Sequence, residues 1–442
     1  MRNVSDELTT ATRPPTTIPL RHFLVALAFL VGGVTLGLLH LAGGPLSGSA
    51  LGGIAIAHLL LIGWVCLTVL GAMTQFVPVW AGVELHSERL ATLQLLLVSV
   101  GLAGFAGALW LGRPVAGSGF AALVVTGFAV FVYTLSRTLH RARPFDVTER
   151  HFALALAFFA LAVVLGGTLA ADYRWNVLGT VGIARLEVVD AHVTLAVLGG
   201  VCTTVIGALY QLGPMFTQSD PTPFDDRIAG IETVAYPVGV LALAAGRLFG
   251  HALLASGGGV LVAAGMLAAG IVLLRRLRDA TATGTPMLSR YAVVAVAAVA
   301  WSLTAGATWV VQPLGTAVRF GHPIVGSVLL GAVIGFVVIG TLYHVVPFVV
   351  WLDRYSDRVG LERVPAIDDL YDGRVAAADF TATVAAGVLV LAAAVAPLGG
   401  YAGGVRLAGG GLLLVGVALF TGNVVSTVAR HAGSSILGRL EK

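Results

Sequence analysis

Three histidines sit inside segments that otherwise carry almost nothing polar, and each opens the same pattern. The stretches are HLLLIGWVCLTVLGAMTQFVP from His58 to Pro78, HVTLAVLGGVCTTVIGALYQLGP from His192 to Pro214, and HPIVGSVLLGAVIGFVVIGTLYHVVP from His322 to Pro347. Gly71, Gly207 and Gly340 each stand seven residues before the closing proline, and the prolines are 136 and 133 residues apart. One unit therefore recurs three times. A neutral imidazole ligates a metal or haem iron as readily as it titrates. An ionisable residue kept in an apolar segment asks for a functional reason.

Each histidine has a ligand reading and a plainer one. His58 is either a ligand or an intramembrane hydrogen-bonding group. His192 follows Asp190, whose carboxylate could orient the ring of a ligand or form a solvated pair with it. His322, between Arg319 and Pro323, is either a ligand or a helix-start residue facing water. The histidines lie 20, 22 and 25 residues before their prolines. At about 100° per residue, His192 is turned about 200° and His322 about 140° from His58, so the positions are not equivalent. Gln75, Gln211 and His344 recur three residues before the prolines and suggest a hydrogen-bonding role. His22, His86, His140, His151 and His431 fall in loops or at helix starts and read as solvated.

The elements that must position these residues are transmembrane helices. The chain of 442 residues is 57% AVILMFWYC and 11% charged, against a usual charged share of about 25%. A span needs roughly 20 apolar residues. Twelve such spans are expected near 22–42, 51–80, 91–112, 116–137, 152–171, 189–215, 229–247, 250–274, 290–312, 322–351, 378–397 and 404–429. The expected fold class is all-α: a polytopic membrane protein with twelve transmembrane helices in three pseudo-symmetric four-helix units. A tail over 1–21 precedes the membrane domain at 22–430, and a second tail follows over 431–442. With the N-terminus inside, the inner side receives 20 of the Lys and Arg residues and the outer side 6. That bias puts both termini in the cytoplasm and the chain in the cytoplasmic membrane. The three pattern histidines then share the outer half.

The lipid bilayer is the partner this composition demands. A net charge of +4 spread over scattered arginines is no nucleic-acid footprint. Cys66 and Cys202 form no CxxC or CxxCH motif, so neither thiol redox chemistry nor covalent haem attachment is indicated. Interior carboxylates are scarce: Glu232 and Asp379 stand alone, and no string of ionisable residues crosses the bilayer. The polar insert at 352–374 reads as a solvated loop over the end of the bundle.

This architecture resembles subunit I of the haem–copper oxidases and their nitric oxide reductase relatives, over about residues 22–430. GAMTQFVPVWAG (71–82) is similar to that family's Gly-rich, Pro-ended close of helix two, and GAVIGFVVIGTLYHVVPF (331–348) to its helix-ten ending. The resemblance implies a b-type haem clamped by His58 and His322, with Arg319 and Arg406 near the propionates. It places His192 on the helix that supplies a copper ligand, and the register also permits helix six to pair with helix ten. The seventh span, RIAGIETVAYPVGVLALAAG, lacks the family's histidine pair. One imidazole would not retain copper, so no copper centre is expected. The implied role is electron transfer, or redox or gas sensing, between a quinol and an outer-face cupredoxin or cytochrome, within or beside other respiratory-complex subunits. Two alternatives stay open. One is a cofactor-free protein of the same fold acting as a transporter, channel or scaffold. The other is an active oxidase or NO reductase with unusual ligands.

Overall fold

The computed structural model describes residues 14–220, 222–281 and 284–431. Most of the two tails expected at 1–21 and 431–442 lies outside the described residues. Twelve helices are long and apolar enough to cross a membrane. They are α1 (Thr17–Ala42), α2 (Gly52–Ala81), α3 (Glu88–Trp110), α4 (Pro114–Ala142), α5 (Val147–Trp175), α6 (Arg185–Thr217), α7 (Pro223–Leu248), α8 (Ala252–Arg278), α9 (Pro286–Val311), α10 (Thr316–Arg354), α11 (Gly373–Val395) and α12 (Gly399–His431). No β-strand occurs among the described residues. The chain is thus an all-α, multi-pass membrane protein. The first helix begins at Thr17, inside the stretch expected to be tail.

Start signals are written into the helices that begin at the arginine-rich end of the bundle. Ser87, Asp146, Thr222, Thr285 and Asp372 cap α3, α5, α7, α9 and α11 with side-chain acceptors. Such caps satisfy N–H groups that the helix itself leaves free. Pro223 and Pro286 add the fixed φ suited to a first turn. The Asp372 carboxyl is held below its usual range by the N–H groups of Val375 and Arg374.

Three helices form the core: α2, α6 and α10, the ones with the His–Gly–Pro pattern. Each nests in the arc of its own unit, α2 against α1, α3 and α4, and α6 against α5, α7 and α8. The other nine close into a ring through tight pairs such as α3–α4, α7–α8, α11–α12 and α12–α1. The ring is loosest at three equivalent joints, α1–α3, α5–α7 and α9–α11. A small apolar cavity of about 80 Å³ lies among the core helices. It is lined by matching positions: Thr68, Thr204 and Val337 three residues before each pattern glycine, and Ala72, Ala208 and Thr341 one residue after.

The core helices share one further feature. Each widens into π-helix at the same register, over Leu59–Cys66, Thr194–Cys202 and Val328–Gly335. All three segments end five residues before the pattern glycine. Hydrogen bonding from i to i+5 is rare and concentrates at functional sites. Tyr236 supports one of them, its hydroxyl donating to the Leu198 carbonyl at 2.8 Å.

Between α7 and α8 the backbones touch. A Cβ on Gly258 would stand 2.3 Å from the Leu243 nitrogen and 2.7 Å from the Gly239 oxygen. Small residues permit this approach, which drives helix association where lipid is the solvent. Gly258→Val is expected to cost about 1–3 kcal/mol by overpacking, read as a lower thermal midpoint in detergent. Gly257→Val meets nothing within 4 Å and serves as control. Equal midpoints for the two variants would refute the packing argument.

The 352–374 insert folds as a cap. Short turns at Ser356–Arg358 and Ile367–Leu370 lead it across the bundle end. Leu370 is buried, Trp351 donates its indole N–H to the Pro365 carbonyl, and Thr427 bonds the Leu370 carbonyl.

Candidate functional site

At the arginine-poor end, two of the three pattern histidines lie near enough to feel each other's charge. His58 sits one residue before the π-segment of α2, and His192 two residues before that of α6. Both rings are anchored by Nδ1: His58 donates to the Ile54 carbonyl at 2.8 Å and His192 to the Ala162 carbonyl of α5 at 2.8 Å. Neither Nε2 has a hydrogen bond among the described residues. The two imidazoles lie within reach of each other's charge. The edge of Phe105 meets the His58 ring. Gly166 makes room for His192, because a Cβ there would come within 2.9 Å of its Cε1.

The non-equivalent register explains this nearness. Under threefold symmetry, equivalent positions on the core helices can meet on the axis, as they do around the central cavity, but off the axis they cannot face each other. Side chains that meet across neighbouring units must leave their helices from different faces. The offset between His58 and His192 satisfies that condition.

His322 stands apart. It precedes the first helical turn of α10 at Pro323 and is exposed. Its backbone carbonyl accepts from Val325 and Gly326, and its ring makes no hydrogen bond among the described residues. His192, not His322, is thus the pattern histidine near enough to His58 to feel its charge; the resemblance implied His58 with His322. Arg406 is exposed and turned onto its own helix, with Nε 3.4 Å from the Ala402 carbonyl.

Arg319 is tied to α6 by an ion pair with Asp190, two residues before His192. Arg247, buried on α7, reaches the same place. It donates to Thr194 Oγ1 at 2.7 Å and to the Pro313 carbonyl at 3.2 Å, and it lies over Trp309. Its Nη2 has no partner. Arg247 and Arg319 thus gather around Asp190 and Thr194 of α6, two guanidinium groups near one carboxylate. Reading the sequence as loops and spans counted Arg247 only as an interfacial arginine; its place on the last turn of α7, facing α6, was the missing information.

The arginine-rich end holds a second set of residues, and here the sequence reading is corrected. His22 and His151 are not solvated: their relative exposures are 1% and 0%. Each bridges one of the three loose joints of the ring. His22 of α1 faces Gln94 of α3 at 3.3 Å, and His151 of α5 faces Glu232 of α7 at 3.0 Å. Arg290 of α9 pairs with Asp379 of α11. The core helix completes each set three residues past the pattern glycine, with Thr74, Tyr210 and Tyr343. Tyr210 and Tyr343 donate to the carboxylates of Glu232 and Asp379. The glycines themselves make the space: a Cβ on Gly71, Gly207 or Gly340 would press on the Cβ of His22, His151 or Arg290 at 2.5, 2.4 and 3.2 Å. The repeated glycine is thus explained by the residue it faces.

The donor set at the arginine-poor end suits a haem iron. A ligating imidazole normally donates its other ring N–H to a carbonyl or carboxylate, which fixes its tautomer. His58 and His192 both do so. The orphaned Arg247 Nη2 suits a carboxylate such as a haem propionate. The axial cavity is not the place for such a group, because ligands even of drug size occupy roughly 300–1,000 Å³. No family model and no curated protein matches the chain.

Proposed function

We propose that this chain is a membrane haem protein in which His58 and His192 would hold the iron of a b-type haem. Electrons would pass through it between a quinol in the bilayer and a redox partner, a cupredoxin or cytochrome, at the arginine-poor face. The observation that carries this reading is the pair of imidazoles from two core helices, each anchored through Nδ1 and free at Nε2. The likeness in span count and repeat to oxidase subunit I supports it, and the arginine asymmetry supports a cytoplasmic membrane location with both termini inside.

When bound, the haem supplies a one-electron couple. The chain does the rest. The Ile54 and Ala162 carbonyls hold the rings in the tautomer that presents Nε2. Arg247 and Arg319 offer positive charge to the acid groups of the porphyrin. Phe105 shields His58 from water. A haem held by both imidazoles would favour electron transfer over gas binding.

The test is an optical spectrum of the protein purified from cells supplied with haem. A Soret band, sharp alpha absorbance on reduction and about one haem per chain are expected. A colourless protein that also fails to take up added hemin would overturn the reading and leave the transporter or scaffold alternative.

A further inference from the structure

The three joints at the arginine-rich end share a scaffold but differ in chemistry, and the difference isolates the middle one. In the first, His22 gives its Nδ1–H to the Ile18 carbonyl at 2.8 Å. Its Nε2 is then an acceptor. Gln94 meets it best with its amide N–H, which is also the group otherwise without a partner. That joint is neutral. In the third, Arg290 and Asp379 form an ion pair, and the guanidinium also holds the Pro286 and Ala376 carbonyls. Arginine does not lose its proton in proteins, so that joint is permanently charged.

The middle joint fits neither case. His151 gives its Nδ1–H to the Val147 carbonyl at 2.7 Å, and its Nε2 lies 3.0 Å from Glu232 Oε2. A bare Nε2 and an ionised carboxylate would be two acceptors face to face, in a place closed to water. A carboxylate has no N–H to turn toward the ring. One proton must lie between them, on nitrogen or on oxygen.

A second observation concerns the surroundings. Three buried polar atoms along this side of α7 have no partner among the described residues: Glu232 Oε1 and, about two turns away, Asp225 Oδ1 and Arg276 Nη1. Asp225 and Glu232 lie seven residues apart on one face of α7. Arg276 of α8 pairs with Asp225 at 3.4 Å, and the Tyr210 hydroxyl feels the charges of Glu232, Arg276 and Asp225 together. A buried water needs two to four polar partners, and these atoms supply them. Asp225 lies on the first turn of α7, next to the arginine-rich face.

We propose that the middle joint is a proton-binding site: His151 and Glu232 share one exchangeable proton, delivered from the arginine-rich face by water held at Asp225 and Arg276. Charge balance agrees. Asp225, Glu232 and Arg276 sum to one negative charge, and the shared proton brings the cluster to zero. Tyr236 of α7 also feels the charge of Glu232, and the neighbouring turns carry Glu149 and Arg150 on α5, Asp226 and Arg227 on α7, and Arg275 and Arg278 on α8. The proton arrives from water as hydronium and leaves to water, so no other reactant is needed. The site is independent of the haem reading and lies at the other end of the bundle.

Nitrogen NMR of protein labelled in histidine, with infrared spectroscopy of carboxyl groups, tests it at neutral pH. The expected wild-type result is either a His151 ring with hydrogen on both nitrogens or a protonated Glu232. Glu232→Gln should convert the ring to the single-proton form of His22 and remove any such carboxyl band. Asp225→Asn should slow exchange of the shared proton with heavy water about tenfold or more. A wild-type His151 with bare Nε2 beside an ionised Glu232 overturns the proposal, and that reading stands even if neither variant folds. Unchanged exchange in Asp225→Asn overturns the route.

Discussion

Asp379→Ala should be the most damaging single substitution in the bundle, with a loss of about 3–5 kcal/mol. Arg290 is 1% exposed, and in the variant its guanidinium would keep only two carbonyl partners and no counter-charge. The buried Tyr343 hydroxyl would lose its acceptor too, and keep only the amide N–H of Asn423 at 3.2 Å as a partner. The double variant Arg290→Leu/Asp379→Leu should recover most of the loss, because replacing a whole buried ion pair by apolar groups is often neutral. Gln94→Ala, at the equivalent joint without charge, should cost only about 1–3 kcal/mol, the penalty for an orphaned buried hydrogen-bonding group. Thermal midpoints of the four proteins in one detergent decide the matter. If Asp379→Ala is no worse than Gln94→Ala, the α9–α11 joint is not held by its ion pair.

The frame was legible in the sequence because its signals are local. Apolar runs, the Gly–Pro spacing and the arginine bias need only near neighbours, and they gave twelve spans in three units. The joints were not legible because their partners lie far apart in the chain, His22 from Gln94 and Arg290 from Asp379, and because a histidine in a first turn looks wet when the neighbouring helix is unknown. One signal was available. Each unit's first helix carries a basic or imidazole residue in its first two turns (His22, His151, Arg290), and each third helix an amide or acid in its first three (Gln94, Glu232, Asp379). The π-segments left no mark that composition or periodicity could reveal, since the residues that form them are as apolar as their neighbours. The nearness of His58 to His192 was not legible for a related reason. Angular offset within one helix does not say which neighbour a residue faces until the units are placed around their axis.

That pairing supplies the second large effect. His58→Ala and His192→Ala should each abolish the low-spin haem spectrum and cut haem content more than about tenfold, whereas His322→Ala should leave both unchanged. Even groups that merely orient a ligand cost about 10–100-fold in metal affinity when removed, so loss of a ligand itself should exceed that range. Imidazole added to the His58→Ala protein should restore part of the reduced alpha band, because the free base can fill the vacated coordination position while the Arg247 and Arg319 charges remain. A residue with a purely structural role would show no such rescue. Arg319→Gln is a weaker case: it frees Asp190 beside His192 and should loosen the haem without removing it. The opposite pattern, with haem lost in His322→Ala and retained in His192→Ala, would mean that the α10 histidine closes on the iron after all. The anchored rings of α2 and α6 would then be a structural contact between adjacent units.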